Sequence, residues 1–333
     1  MKKITLLLSF IACVVFAQAQ TLYTDDFSSY AAGSALTGQN NWITVSGGTT
    51  NSINAIAPGT PAIAYPNYPT SGTGKEVSLT TSGQDIAHPF AAQTTGTIYY
   101  SVLVNLSGAQ TPGDYFIHVG EPASTSIFFA RTFAKYDGTN VFFGVQNASN
   151  AQGSTDPAGV PTYQTTSTYT TGTTYLLVVK FNIATTATSL IVNPSLTSEP
   201  TTGWITSTPS TAGGAGGTNV PTAAGIGEIN LRQGTAANAP TLRLDGIRVA
   251  TSYGALFTAT GFFTPKAEAL SISLAGKTLT VKEVADGSIV DIYSSIGAKV
   301  HSAQLVNGAV QLDNLSKGLY IVRVGNQSSK IMM

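Results

Sequence analysis

One cysteine occurs in the 333 residues, and it lies inside an N-terminal apolar run, at Cys13. A chain processed after that run keeps no thiol, which excludes disulfides and thiolate metal sites and leaves the fold to its core or to hard cations. Charge is scarce as well, at 10% of residues. Removing Lys2 and Lys3 from the 16 basic residues leaves 14 against 16 acidic ones. That balance lacks the basic excess of a nucleic-acid binder, so no nucleic-acid partner is expected. Beyond residue 19 no apolar run reaches the roughly 20 residues of a membrane-spanning helix, so the mature chain is expected to have no transmembrane segment. HExxH, paired-cysteine and EF-hand patterns are all missing, which removes those zinc and calcium classes.

The N-terminus has the layout of a targeting segment. Lys2 and Lys3 precede the apolar run Ile4–Phe16, and Ala17-Gln18-Ala19 supplies small residues at the spacing a signal peptidase uses. A signal peptide over 1–19 is expected, with cleavage between Ala19 and Gln20. A lipid anchor on Cys13 is the alternative, and it fits less well because the residues after it are still apolar.

The chain then reads as β. Segments 97–106, 115–119, 127–136, 141–146, 175–182, 189–193, 228–233 and 241–249 are rich in Val, Ile, Tyr, Phe and Thr. Gly, Pro, Asn and Thr clusters separate them, and no long stretch keeps a helical period. Strands of this number over some 235 residues predict a two-sheet jelly roll at 20–255. Segments 47–74, 147–173 and 194–224 are expected to be long loops, of the kind that often carry function. Residues 256–268, interrupted by Gly261 and Pro265, are expected to be a junction. Residues 269–333 carry their own turn signals, Asp286-Gly287 and Asn307-Gly308, and predict a small Ig-like β-sandwich.

Two resemblances extend this reading. Leu315-Ser316-Lys317-Gly318-Leu319-Tyr320, with Lys330 close behind, resembles the C-terminal sorting domain of cargo for the type IX secretion system of Bacteroidetes. It implies that 269–333 is a sorting signal carried by Gly318, Tyr320, Val322 and Lys330, that the translocon is a partner, and that the protein is secreted or held on the outer-membrane surface. Tyr320 and Val322 are expected to face the core, and Gly318 to supply a backbone geometry that a side chain would strain. Asp25-Asp26-Phe27-Ser28-Ser29-Tyr30 and Leu244-Asp245-Gly246-Ile247-Arg248-Val249 are similar to the opening and closing strands of concanavalin A-like, laminin-G-like sandwiches. That family includes lectins, polysaccharide-binding modules, hydrolases and lyases, so the fold alone chooses no activity.

The remaining polar residues narrow the choice. No Glu-x-Asp-x-x-Glu strand is present to pair carboxylates on one face for glycoside hydrolysis. His88, His118, Tyr115 and Arg131 are the residue types a lyase needs, but strict alternation puts Tyr115 and His118 on opposite faces. The 127–146 hairpin, turning at Asp137-Gly138, lists Phe129, Arg131, Phe133 and Lys135 on one face. If that face is open, aromatic planes beside cations suit sugar rings, with Trp42 and Trp204 as further candidates. A covered face with a paired Arg131 is the competing expectation. A structural calcium shared by Asp25, Asp26 and Asp245 is compatible with first and last strands that meet, against a turn and an arginine partner for the same carboxylates. The expectation is a secreted or surface-attached protein that binds glycan or another surface ligand. The alternatives are a polysaccharide hydrolase or lyase on the same fold, and a structural or adhesion module with no small ligand.

Overall fold

The computed structural model describes residues 19–147, 161–207, 221–258, 270–282, 284–294, 297–325 and 327–333. The expected signal segment 1–18 lies outside them, as do residues 259–268 of the expected junction. Two compact units are present, 1–260 and 261–333.

The larger unit contains β1 (Thr21–Asp25), β2 (Ile43–Ser46), β3 (Asn54–Ile56), β4 (Glu76–Leu79), β5 (Asp85–Gln93), β6 (Thr97–Gly108), β7 (Asp114–Gly120), β8 (Phe128–Tyr136), β9 (Val141–Gln146) and β10 (Thr162–Tyr163). These are followed by β11 (Thr174–Asn182), β12 (Thr188–Val192), β13 (Ile205–Thr206), β14 (Ile226–Leu231), β15 (Thr241–Ala250) and the short helix α1 (Tyr253–Phe257). The first sheet has the order β13-β12-β11-β6-β15-β4-β3, with β1 also on β15. The second has the order β10-β9-β8-β7-β14-β5-β2.

Alternation drives the two sheets together. Val102, Val104, Leu177, Val179 and Leu244 of the first sheet share one buried cluster with Phe116, Ile117, Phe129, Phe143 and Ile229 of the second. Burying two apolar faces against each other is the favourable term that offsets chain ordering. The architecture is all-β and sandwich-like. The central strand β15 organises the first sheet. Its Leu242–Leu244 half pairs with β4 and its Ile247–Ala250 half with β1, both along one edge, while β6 occupies the other. Gly246, at φ +61°, marks the bulge between the halves, because a left-handed backbone there suits a residue without Cβ.

Two sequence expectations change here. The 47–74, 147–173 and 194–224 stretches are not structureless, since they supply β3, β10 and β13. Residues 253–257, which straddle the expected end of the jelly roll at 255, form α1, capped by Ser252 Oγ accepting from Ala255 N. Leu256 and Tyr253 of α1 join Ile63, Tyr68, Leu103, Leu176 and Val178 in a second apolar cluster, on the outer face of the first sheet.

The smaller unit has two sheets. One joins β16 (Ile272–Ala275), β17 (Thr278–Val281) and β20 (Ala309–Gln311). The other joins β19 (Lys299–Gln304), β18 (Ile289–Ser294), β21 (Leu319–Val324) and β22 (Gln327–Met332). Their shared core holds Leu279, Val290, Ile292, Tyr320, Val322 and Ile331. Asn307 and Gly308 take φ of 48° and 69°, the tight hairpin geometry their sequence predicts, and the Asp286 carboxylate accepts from both backbone N–H groups at 2.9 and 2.8 Å. Tyr320 and Val322 are core residues, and Lys330 is exposed on β22. The expectation for Gly318 fails. Its φ lies outside the left-handed region, and an added Cβ would meet the Tyr320 ring only at an ordinary 3.6 Å. What Gly318 contributes is backbone pairing, its N–H donating to Met333 O at 3.3 Å and its carbonyl accepting from Met333 N at 3.0 Å.

Candidate functional site

Strict alternation fails twice on the outer face of the second sheet, and both failures matter. Tyr115 opposes Phe133 while Ile117 opposes Thr132, so β7 carries an extra residue at this point. Phe116 and Ile117 therefore both enter the core, and Tyr115 and His118 both face outward. Farther along, Ile117 opposes Thr132 while Val119 opposes Phe129, which gives β8 an extra residue around Ala130, at φ 49°. A bulge of one residue flips every later side chain to the other face. Phe129 thus turns inward, 5.3 Å from the Phe181 ring of the first sheet, and Phe128 takes the place that alternation assigns to Phe129.

The resulting face is aromatic and cationic. The Arg131 guanidinium lies 4.6 Å from the Tyr115 ring centroid and 5.5 Å from that of Phe128, and the Arg232 guanidinium lies 4.2 Å from the same Tyr115 ring. The Lys135 ammonium sits 4.3 Å from the Tyr163 centroid and 5.5 Å from that of Phe142. His118 packs 4.4 Å from Phe128 and 5.6 Å from Tyr115, and Phe133 packs 5.5 Å from Tyr115. Such stacking holds a cation by the ring quadrupole. Arg232 donates to the buried Asp114 carboxylate at 2.7 Å, and Arg131 donates to Gln146 Oε1 at 3.2 Å. Burial, reinforced by Arg131, pushes the His118 imidazole down to about 3, so it is neutral at ordinary pH. Burial also pushes Glu228 upward, against hydrogen bonds from Asn230 Nδ2 and Ala123 N.

Exposure is graded across this surface. Arg131, Phe133 and His118 form a buried floor, while Tyr115, Phe128, Lys135, Phe142, Tyr163 and Arg232 are partly exposed. Two buried polar atoms on it, Asn230 Oδ1 and the Tyr163 hydroxyl, have no hydrogen-bond partner among the described residues. Unsatisfied buried polar groups are rare in folded proteins, and a ligand group is one way to satisfy them.

The residues expected to form an open platform are therefore sorted differently. Phe129 is core. Arg131 and Phe133 keep the expected face but lie in its floor, because neighbouring rings and β10 cover them. Lys135 is where alternation puts it and remains accessible. Trp42 is a core plug, 1% exposed, with its indole N–H donating to Asp25 Oδ2 at 3.3 Å. Trp204 sits on the other sheet, under Lys180 at 4.1 Å, and donates to Pro200 O at 2.8 Å. Neither tryptophan joins the face around Tyr115. Sequence reasoning missed Phe128, Tyr163, Arg232 and Asn230, because bulges and strand order, not local pattern, bring them in.

The carboxylate trio is close enough for its charges to interact, but each member is engaged in contacts of its own. The first strand does meet the last strand of the unit, with Asp25 opposite Ile247. Yet Asp25 is already committed: its Oδ2 accepts from Tyr23 and Tyr30 hydroxyls at 2.8 and 3.0 Å and from Trp42, and its Oδ1 accepts from Phe27 N. Asp26 closes a local turn through Ser28 N and Oγ. Asp245 is buried, accepts from Gly246 N at 2.7 Å, and is pushed up to about 8 by burial and by the Asp26 and Glu76 charges. Among the described residues no group of three His, Cys, Asp or Glu side chains is gathered to hold a metal ion, so the shared calcium does not fit. Arg243 pairs with Glu76, and Arg248 donates to the carbonyls of Leu256 and Thr258.

Residues 264–333 match the family model described as the secretion system C-terminal sorting domain. Such a tail indicates handling by a type IX secretion system and export from the cell or to its surface. No helix among the described residues is long and apolar enough to cross a membrane. No curated protein matches the chain. Among solved structures, a carbohydrate esterase from Shiga toxin-encoding bacteriophage phi24B is similar at 16% identity and a TM-score of 0.41, over 70% of this chain and 99% of its own. Domain 4 of an extracellular arabinanase from Geobacillus stearothermophilus, solved in complex with arabinotriose, shows 13% identity and a TM-score of 0.37 over 73% and 99%. The cellulose-induced protein Cip1 shows 15% and 0.41 over 69% and 97%. Likeness this distant assigns no activity.

Proposed function

We propose that the larger unit is a concanavalin A-like jelly roll that binds glycan on the outer face of its second sheet, and that the smaller unit, an Ig-like sandwich, delivers it through the type IX translocon. The observation that carries the binding reading is the Tyr115 ring, partly exposed and flanked by Arg131 and Arg232 at 4.6 and 4.2 Å. The partly exposed edge of this ring and the partly exposed Arg232 guanidinium beside it offer an apolar contact for sugar C–H groups and N–H donors for hydroxyls. On a glycan array the full chain should bind at least one family of glycans, and Tyr115→Ala should lose that signal while keeping its melting temperature within a few degrees. An empty array for the folded wild type would remove the reading.

Lyase chemistry is the second reading, favoured by one observation: Tyr115, His118 and Arg131 share a face, contrary to strict alternation. New unsaturated uronate ends on incubation with acidic polysaccharide would establish it. For export, deleting 264–333 in a host with type IX secretion should leave folded protein in the periplasm; its normal appearance outside the cell would contradict the sorting role.

A further inference from the structure

The distribution of positive charge deepens the glycan reading. Residues 20–262 hold seven basic side chains: Lys75, Arg131, Lys135, Lys180, Arg232, Arg243 and Arg248. Three of the seven, Arg131, Lys135 and Arg232, stand over aromatic rings of the Tyr115 face. Lys180 and Arg243 are in ion pairs with Glu199 and Glu76, and Arg248 is used by carbonyl oxygens. Lys135 differs from these. It is partly exposed, and it forms no ion pair among the described residues. Its close contacts are the Tyr163 and Phe142 rings, which fix an ammonium without neutralising it, and the Asp137 carboxylate acts on it through space without forming an ion pair. Asp114 and Asp85 pair with Arg232 at 2.7 and 4.0 Å.

Resting on the glycan reading, we infer that the ligand of this face is an anionic polysaccharide, with an acidic group of one sugar unit set against Lys135 and the chain lying along the partly exposed side chains of Tyr115 and Tyr163. A neutral glycan would gain from the rings but leave the Lys135 ammonium without an ion-pair partner among the described residues. A carboxylate or sulfate satisfies it, and the partly exposed Arg232 guanidinium is a second cation on the same face.

The test titrates the full chain with polygalacturonate and alginate, each paired with its carboxyl-reduced form, and with iota-carrageenan paired with its desulfated form, at low and high salt. At least one acidic member should bind ten-fold or more tightly than its neutral counterpart, with affinity falling as salt rises. Lys135→Gln should reduce that preference three-fold or more without shifting the melting temperature. Equal binding to charged and neutral partners would overturn this inference and leave the glycan reading standing. Binding to no polysaccharide at all would remove both. An unchanged preference in Lys135→Gln would also overturn the assignment.

Discussion

The larger unit has two outer faces, and they are finished in opposite ways. Over the first sheet the chain lays its own apolar cover, with Ile63, Tyr68, Tyr253 and Leu256 packed on Leu103, Leu176 and Val178. The Tyr68 hydroxyl is held between Ser101 Oγ, at 2.8 Å, and the Gly246 carbonyl. Over the second sheet the side chains are rings and cations, partly exposed, with two buried polar atoms unpartnered among the described residues. A face that satisfies its polar groups internally is structural, whereas one that gathers chemistry without consuming it is available for a ligand. The two faces should therefore respond differently to the same kind of substitution.

The largest difference is expected between two tyrosines. Tyr68→Ala removes a buried ring and two hydrogen bonds and should cost about 3–4 kcal/mol in a urea titration. Tyr115→Ala, on the partly exposed face, should cost about 1 kcal/mol while removing glycan binding. Similar stability losses at both positions would erase the contrast.

Asp245, on the covered face, sharpens it through pH. Its carboxyl is raised from the usual carboxylate range to about 8, so the folded state holds a proton that the unfolded state releases. Its contribution is full below the unfolded value and declines as pH rises toward about 8. Asp245→Asn should remove that decline, melting higher than the wild type at pH 8.5 and closer to it at pH 4. A variant less stable than the wild type at pH 8.5 would contradict the assignment.

Legibility in the sequence followed the range of the interactions. The long strands β6, β7, β8, β9, β11 and β15 announce themselves because β-branched and aromatic runs between turn residues are local signals. The short strands β3, β10 and β13 do not, since two or three residues carry no period and are ordered by what they pack against. The site was half legible. Arg131, Phe133 and Lys135 share a face as alternation requires. Phe129 and Phe128 exchange roles, and His118 joins Tyr115, only because of bulges fixed by cross-strand pairing. Arg232 arrives from the end of β14, far along the chain from β7 and β8, and no local pattern could place it.

The smallest expected effect is a glycine pair in the smaller unit. Gly308, at φ +69°, should lose about 1 kcal/mol on replacement by Ala, whereas Gly318, at an ordinary φ with its nearest side-chain contact at 3.6 Å, should change by less than about 0.5 kcal/mol. Equal losses in chemical denaturation would restore a conformational role to Gly318.

The most direct test of the central claim is hydrogen–deuterium exchange of the full chain with and without a bound oligosaccharide. Protection should concentrate in peptides covering 114–120, 128–136 and 141–146, which carry the Tyr115 face, and be absent from 61–71 and 253–257, which cover the opposite sheet. Protection confined to 61–71 and 253–257 would contradict the account and move the binding face to the other side of the sandwich.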